Sequence, residues 1–316
     1  MTHVNPVRRP ACSSLGLACL ALAGALGLLP APAAPSERRA VTPLHLGVIA
    51  EEPNEPDRML RVFGEMLSRL RERLLPRGVR VGGLVIARDL DDLSQRLVRG
   101  DVDLVIETVF PTLVLQERSR SLQPSLVVFR RGQREYRSVF FTRQDSSIRA
   151  LRDLRGKILV LQALRSTSAF ALPKAELERA GLALAPADDL RSRPGDVRYV
   201  LALAEINQAI WVLHGRGDAG AFNEGNWAAL PEKVRSQLRV FHETRPIVRG
   251  LVSFRTGLDV KVRAAVEETL LRLPEDEGGR AALEQAAGLT RFERMTAEDH
   301  AGLRRWAPVL RPVRNR

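Results

Sequence analysis

Three consecutive hydroxyl side chains, Ser166, Thr167 and Ser168, are the residues of this chain best suited to bind a small anion. They follow a short apolar run, 157–161, and precede a helical segment, 174–179. In that order of strand, turn and helix, the hydroxyls lie beside backbone N–H groups that the first helical turn leaves unpaired, at the positive end of the helix dipole. The stretch fits an oxyanion site, although a simple helix cap by Ser166 or Thr167 explains the same residues.

Other chemistries find less support in the sequence. Residues 215–220 fit G-x-G-x-x-G literally, but they follow a predicted helix and open a predicted strand, which is the reverse of a dinucleotide-binding turn. The five histidines show no i, i+4 spacing, so no metal site and no cofactor are predicted. A G-x-S-x-G elbow is absent from the sequence, and a secreted serine hydrolase that uses Ser166 or Ser168 is kept only as an alternative.

The N-terminus is typical of a secretory signal peptide, predicted to span residues 1–34. Arg8 and Arg9 precede an apolar run, 15–29, and small residues near Ala33 offer a cleavage site. The alternative is an uncleaved anchor, but the run is shorter than the roughly 20 residues that span a bilayer. Both cysteines fall inside this segment, so the mature chain is expected to have neither a disulfide nor a reactive thiol.

The chain is basic, with a formal net charge of +12, but its basic residues are spread among 37 acidic ones. Aromatic residues make up 5% of the chain and do not alternate with basic ones, as a base-stacking surface would require. Nucleic acid is therefore not an expected partner, and the charge indicates at most a general preference for anionic ligands.

Hydrophobic periodicity predicts an α/β protein in which strands alternate with amphipathic helices. A strand at 136–142 is predicted to cross into a second lobe, and a strand at 251–254 is predicted to return from it, with hinges near Thr142 and Gly250. A short helix is predicted at 146–154. The size of the mature chain also favours two lobes over one.

Several segments, in order, resemble one family: the periplasmic phosphate-, phosphite- and phosphonate-binding proteins that deliver substrate to ABC importers. The resemblance rests on a G-x-V-D turn, a Y-x-S-V crossover, an S-T-S helix start and a D-A-G-A-x-N strand, and it extends from about 45 to 273. These motifs occur here at Gly100–Asp103, Tyr136–Val139, Ser166–Pro173 and Asp218–Asn223.

The resemblance implies a type II periplasmic binding protein, with two lobes joined by two crossover strands and the ligand in the cleft. Lobe 1 would contain residues 44–142 and 251–316, and lobe 2 would contain residues 143–250. It also implies a monomeric, non-enzymatic periplasmic protein that captures a small phosphorus oxyanion, with an ABC permease as its partner. A membrane sensor is the alternative partner, and another small anion or a zwitterion is the alternative ligand.

Carried over residue by residue, the resemblance assigns ligand contacts to Tyr136 and to the three hydroxyls, and places Asn223 along the cleft. The chain departs from the family pattern at Glu107 and Glu205, where a carboxylate would face a bound anion at a cost in energy. Arg165 and Arg249 could compensate as oxyanion donors. Alternatively, the two glutamates could bind an ammonium group of the ligand, or could point out of the cleft.

Overall fold

The structure is a computed structural model, and it describes residues 43–50 and 55–310. The predicted signal peptide lies outside these residues. The strands are β1 (Leu44–Ile49), β2 (Val81–Ala87), β3 (Leu104–Glu107), β4 (Leu122–Arg130), β5 (Glu135–Tyr136), β6 (Ser138–Arg143), β7 (Ile158–Leu161), β8 (Leu184–Pro186), β9 (Val197–Leu201), β10 (Ala219–Asn223), β11 (Leu238–Glu243), β12 (Ile247–Val248), β13 (Gly250–Arg255) and β14 (Leu289–Arg294).

Helices cover both faces of the sheets that these strands form. They are α1 (Glu55–Leu74), α2 (Leu90–Arg99), α3 (Val109–Ser119), α4 (Leu172–Arg179), α5 (Glu205–Leu213), α6 (Glu224–Ala228), α7 (Glu232–Arg235), α8 (Val260–Arg272), α9 (Glu277–Gln285) and α10 (Ala297–Trp306). One turn of π-helix, Thr167–Ala171, runs directly into α4. No helix in this described part of the chain is long and apolar enough to cross a membrane.

Two six-stranded mixed sheets form the framework of the molecule. The first has the order β14-β4-β13-β3-β1-β2, and the second has the order β11-β6-β10-β7-β9-β8. In each sheet parallel strands extend to one edge, β3-β1-β2 in the first and β10-β7-β9-β8 in the second, and antiparallel strands lie toward the other edge. Helices pack on both faces, so the parallel strands are buried on both sides. This is the predicted α/β architecture of a type II binding protein.

The chain crosses between the sheets at a two-stranded connection. β5 pairs antiparallel with β12, through Tyr136 opposite Ile247 and Glu135 opposite Val248. Thr142, where a hinge was expected, instead lies within β6 and pairs with Ala219 in the second sheet. The boundary expected between residues 142 and 143 therefore falls inside a strand. We propose that the lobes divide at the β5–β12 pair.

Among the elements that differ from the sequence-based expectation, three have a clear physical reason. The helix expected at 146–154 is wrong, because only Leu151–Leu154 turns, as a 3-10 helix. Helix α3 was missed because its residues are apolar on most sides, so no helical period is visible. Strand β14 was missed because charged residues interrupt its short alternating pattern. The expected strand that follows residues 215–217 is confirmed, since Gly215 has a left-handed φ of 71° just after α5 and β10 follows.

Candidate functional site

The hydroxyl stretch forms the entrance to α4 and begins as a wide turn rather than a regular helix. Ser166 is its N-cap, and the Ser166 Oγ accepts a hydrogen bond from the Ala169 N–H at 3.1 Å. Ala169 leaves the helical conformation, with φ −107° and ψ 15°, which opens the turn to a π-helical width. For Ser166 the simple capping interpretation therefore holds, with the hydroxyl proton still available to donate.

Thr167 links the hydroxyl stretch to the first sheet. Its Oγ1 accepts a hydrogen bond from the Phe110 N–H at 3.0 Å and donates one to the Thr108 Oγ1 at 2.9 Å. Thr108 is the N-cap residue of α3, but its own side chain makes no capping hydrogen bond. Thr167 thus supplies the capping oxygen for the neighbouring lobe, and this contact is buried.

Tyr136 is the crossover residue next to the hydroxyl stretch. It belongs to β5 and is 3% exposed. Burial raises the pKa of the Tyr136 phenol, although nearby Arg249 and the hydroxyls of Thr167 and Ser168 counteract part of that effect. The phenol therefore stays neutral at physiological pH, and its O–H can donate to an anion. Ser168 is itself buried, so its hydroxyl faces this interior and not bulk water.

Two arginines flank Tyr136 from the first lobe. The Arg249 Cζ lies 4.4 Å from the centroid of the Tyr136 ring, in a cation–π contact, and Arg249 is 9% exposed. Arg130 ends β4 and is partly buried. Burial lowers the pKa of both guanidinium groups, and the charge of Arg130 lowers the pKa of Arg249 further. Within residues 43–50 and 55–310, neither guanidinium has a hydrogen-bond acceptor or an ion-pair partner.

Arg130 was not identified from the sequence. It occurs in an arginine-rich segment, Arg130–Arg137, that leads into the crossover. The density of arginine at a predicted lobe boundary was the signal available in the sequence. Nothing local distinguishes Arg130 from Arg131 or Arg134, because the difference lies in what each side chain meets in the folded protein.

Glu107 and Glu205 approach the same arginines from opposite lobes. Glu107 ends β3 and Glu205 begins α5, and both are partly buried. The charge of Glu107 raises the pKa of Arg130, and the charge of Glu205 raises the pKa of both Arg130 and Arg249. The two carboxylates therefore lie close enough to the arginine pair to affect it electrostatically.

The remaining predicted residues are Asn223 and Arg165. Asn223 is buried at the end of β10, where its Oδ1 accepts a hydrogen bond from the Asn226 N–H at 2.9 Å and caps α6. Arg165 precedes Ser166 and is partly buried. The structure thus groups Tyr136, the hydroxyls and Arg249 together, with the two glutamates nearby.

A separate pocket of about 260 Å³ lies behind the crossover, between β5–β12 and α10. It is lined by Arg134, Glu135, residues 246–248 of the crossover and several residues of α10. Arg134 forms hydrogen-bonded ion pairs with Glu293 at 3.1 Å and with Asp299 at 2.8 Å. The charge of Arg134 is thus paired within the protein, whereas the described residues give Arg249 no hydrogen-bond acceptor.

Comparisons with known proteins bear on the fold and on the family of the chain. The family model described as the periplasmic substrate-binding protein of phosphonate ABC transporters matches residues 49–300. XAC2383 from Xanthomonas citri, solved with chloride, is 31% identical, with a TM-score of 0.77 over 84% of this chain and 96% of that chain. The same protein solved with ATP gives 29% identity and the same coverage and TM-score.

A more distant structure, PhnD1 from Prochlorococcus marinus in complex with methylphosphonate, is 18% identical. Its TM-score is 0.61, over 85% of this chain and 98% of that chain, and it supports the fold alone. No curated protein matches the chain.

Proposed function

Because the chain belongs to the phosphonate-binding family of periplasmic substrate-binding proteins of ABC transporters, we propose that Tyr136, Ser168 and Arg249, together with Arg130, bind a phosphorus oxyanion between the lobes. Ser166 and Thr167 complete the turn that presents these groups, and Arg165 and Asn223 lie at its margins. Family membership also implies a periplasmic location and a permease partner. We infer export by the predicted signal peptide and action as a monomer.

The observation that carries this proposal is the buried Arg249 guanidinium, beside the half-buried Arg130, for which residues 43–50 and 55–310 provide no hydrogen-bond acceptor. Desolvating a positive charge is costly unless an anion compensates it, and Arg249 is 9% exposed. A tetrahedral oxyanion can accept two parallel hydrogen bonds from one guanidinium, which is the strongest form of such contacts. The neutral Tyr136 hydroxyl and the Ser168 hydroxyl add donors that an anion can use without further charge.

The glutamates narrow the choice of ligand. The charges of Glu107 and Glu205 offset much of the positive charge of Arg130 and Arg249, which disfavours a dianion relative to a monoanion. One arrangement keeps Glu107 and Glu205 as counter-charges for Arg130, while Arg249 and the hydroxyls bind a monoanionic group. The other arrangement directs a glutamate to the ammonium group of a zwitterionic ligand. A ligand with an uncharged substituent fits the arrangement in which the glutamates neutralise Arg130. A ligand with an aminoalkyl substituent fits the arrangement in which a glutamate binds the ammonium group.

Calorimetry on the mature protein distinguishes these ligands. Phosphate, phosphite, methylphosphonate and 2-aminoethylphosphonate should be titrated, with sulfate as a tetrahedral control. We expect heat with at least one phosphorus compound, and its loss in Arg249→Met. Arg245→Met is the matched control, since Arg245 is an exposed arginine on the same segment. Absence of binding and of thermal shift with every phosphorus compound would contradict the proposal.

A second candidate ligand is a larger phosphate ester. The relative solved with ATP, 29% identical over nearly its whole length, favours this candidate. If the hydroxyl turn binds only a terminal phosphate, ATP and inorganic triphosphate should compete with each other. Binding of ATP that inorganic phosphate and methylphosphonate do not displace would support the ester as the ligand.

Two alternatives from the sequence remain to be tested. A membrane sensor could replace the permease as partner, and binding of the loaded protein to a reconstituted permease would decide between them. A serine hydrolase requires a histidine hydrogen-bonded to Ser166 or Ser168. The described residues show no such hydrogen bond, and His242 contacts Glu176 at 3.3 Å. We therefore propose binding without turnover. Ester hydrolysis that disappears in Ser166→Ala would overturn this view.

A further inference from the structure

Three large apolar side chains of the second lobe are exposed on two neighbouring loops and on the first turn of α5, which follows one of these loops. Leu164 is 48% exposed, Leu203 is 68% exposed and Ile206 is 44% exposed. Leu164 follows β7, while Leu203 and Ile206 follow β9, and the Leu203 N–H donates a hydrogen bond to the Gln162 carbonyl at 3.1 Å. Single exposed leucines are common, but grouped ones at the carboxyl edge of a parallel sheet mark a binding surface.

The backbone of Leu203 is strained in a way that burial does not explain. Its φ is 63°, in the left-handed region that side chains other than those of Gly, Asn and Asp rarely adopt. A residue in this conformation costs stability, and a leucine that is mostly exposed recovers little of that cost by packing. Strain of this kind is concentrated at ligand-binding loops, where it holds a side chain in a required position.

The same two loops lead directly into the proposed oxyanion site. Glu205, two residues after Leu203, raises the pKa of Arg249 and Arg130 through its charge. On the other loop, Leu164 comes two residues before Ser166, the N-cap of the hydroxyl turn. Each loop therefore carries an exposed apolar side chain within two residues of a group of the proposed site.

We propose that Leu164, Leu203 and Ile206, here called the apolar rim, bind the organic substituent of the ligand. This inference rests on the proposed function, because the rim is assigned only to the part of the ligand that extends beyond the phosphorus group. The preferred ligand is then an organophosphorus anion whose apolar substituent is larger than a methyl group. The hydroxyl turn and the arginines bind the oxyanion, and the rim selects the substituent.

The test is a chain-length series. Methyl-, propyl- and hexylphosphonate should be titrated into the mature protein by calorimetry. A methylene group that becomes fully buried improves affinity about fourfold, which corresponds to about 0.8 kcal/mol. With part of each methylene still in contact with water, we expect hexylphosphonate to bind at least tenfold more tightly than methylphosphonate.

Variants of the apolar rim test whether the rim causes the tighter binding of hexylphosphonate. Leu203→Asn with Ile206→Asn should reduce the ratio between hexyl- and methylphosphonate to less than threefold, and Asn tolerates the left-handed backbone. Leu190→Asn is the matched control, because Leu190 is fully exposed on a different loop of the same lobe, and it should keep the ratio of the wild type. Thermal melts establish that each variant is folded.

Two results would overturn the inference: equal affinities along the series, or a ratio that the double variant does not change. In the second case the rim faces a macromolecule, such as the permease or a second copy of the chain, and not the ligand. Binding of phosphate or methylphosphonate without any chain-length dependence removes this inference and leaves the proposed function intact. Failure of every phosphorus compound to bind removes both.

Discussion

Arg134 and Arg249 are neighbours at the crossover, yet their surroundings are opposite. The Arg249 N–H donates to the Arg134 carbonyl at 2.7 Å, so their backbones are in direct contact. Hydrogen bonds from Arg134 to Asp299 and Glu293, on the α10 side, raise the pKa of the Arg134 guanidinium. Burial lowers the pKa of Arg249, which lies over Tyr136 on the cleft side.

The difference separates a structural arginine from one that is available to a ligand. Carboxylates of the protein already neutralise Arg134, so it ties the crossover to α10 and has little to offer an anion. Arg249 retains its hydrogen-bonding capacity in a site that has lost most of its water, where an anion would be bound strongly. A buried charge to which the described residues offer no hydrogen-bond acceptor is therefore the better indicator of a binding site.

The largest expected effect comes from removing the charge of Arg249. Arg249→Met should weaken binding of the preferred phosphorus oxyanion at least 100-fold, because charge-assisted hydrogen bonds are worth about 1.5–3 kcal/mol each. Stability without added anion should change by less than about 1 kcal/mol, since the lost cation–π contact and the relieved desolvation oppose each other. Calorimetry measures the affinity and urea unfolding measures the stability. Retained affinity would show that Arg249 does not bind the oxyanion.

Arg134→Met should show the reverse pattern. It leaves the buried Asp299 carboxylate without its cation, and we expect the free energy of unfolding to fall by about 2 kcal/mol. That figure is below the usual range for a buried pair because the Arg134 side chain is 28% exposed. Affinity for the oxyanion should stay within threefold. Adding Asp299→Asn should recover part of the stability, and a double-mutant cycle tests this coupling.

Thr167 should affect both stability and binding, because its hydroxyl is already hydrogen-bonded within the protein and also adjoins the proposed site. Thr167→Val leaves the Phe110 N–H and the Thr108 hydroxyl without their partner, which should cost about 1 kcal/mol of stability. Oxyanion affinity should fall about tenfold, because the α3 contact positions the hydroxyl turn. Thr167→Ser keeps the hydroxyl and serves as the control. Urea unfolding of both variants would expose a purely steric role, since Val, which has nearly the shape of Thr, would then behave like the wild type and Ser would be the less stable variant.

The smallest effect is the contribution of Asp299 to acid stability. Burial by itself would raise the pKa of Asp299, but hydrogen bonds from Arg134 and Thr296 outweigh burial and hold that pKa below its ordinary value. The folded carboxyl is therefore harder to protonate than the unfolded one. Its stabilising contribution is present above the ordinary pKa of about 4 and is lost as pH falls through the lower, folded value.

Asp299→Asn should accordingly reduce the loss of stability on acidification from about pH 5 to pH 3 by less than about 1 kcal/mol. Urea unfolding at both pH values measures this difference, with Asp145→Asn as an exposed control. An unchanged slope in Asp299→Asn would indicate that Arg134 does not hold the carboxyl in its charged form.

The sequence alone determined the features that depend on local order. Alternation of strands and amphipathic helices specified an α/β protein, because burial on one face leaves a period in the chain. The hydroxyl stretch before α4 was recognisable because a strand, a cap and a helix start are adjacent in sequence. The G-x-G-x-x-G match was correctly set aside for the same reason, since Gly215 ends a helix instead of opening one.

Tertiary structure alone decided which groups act together. The partner of Thr167 is a backbone N–H more than fifty residues away, at the start of a helix whose apolar sides conceal its period. The contrast between Arg134 and Arg249 is likewise invisible in the sequence, where both are arginines near a crossover. Whether a charge is paired depends on which carboxylates the fold brings to it and how much water it excludes, and neither property is encoded in any short stretch of chain.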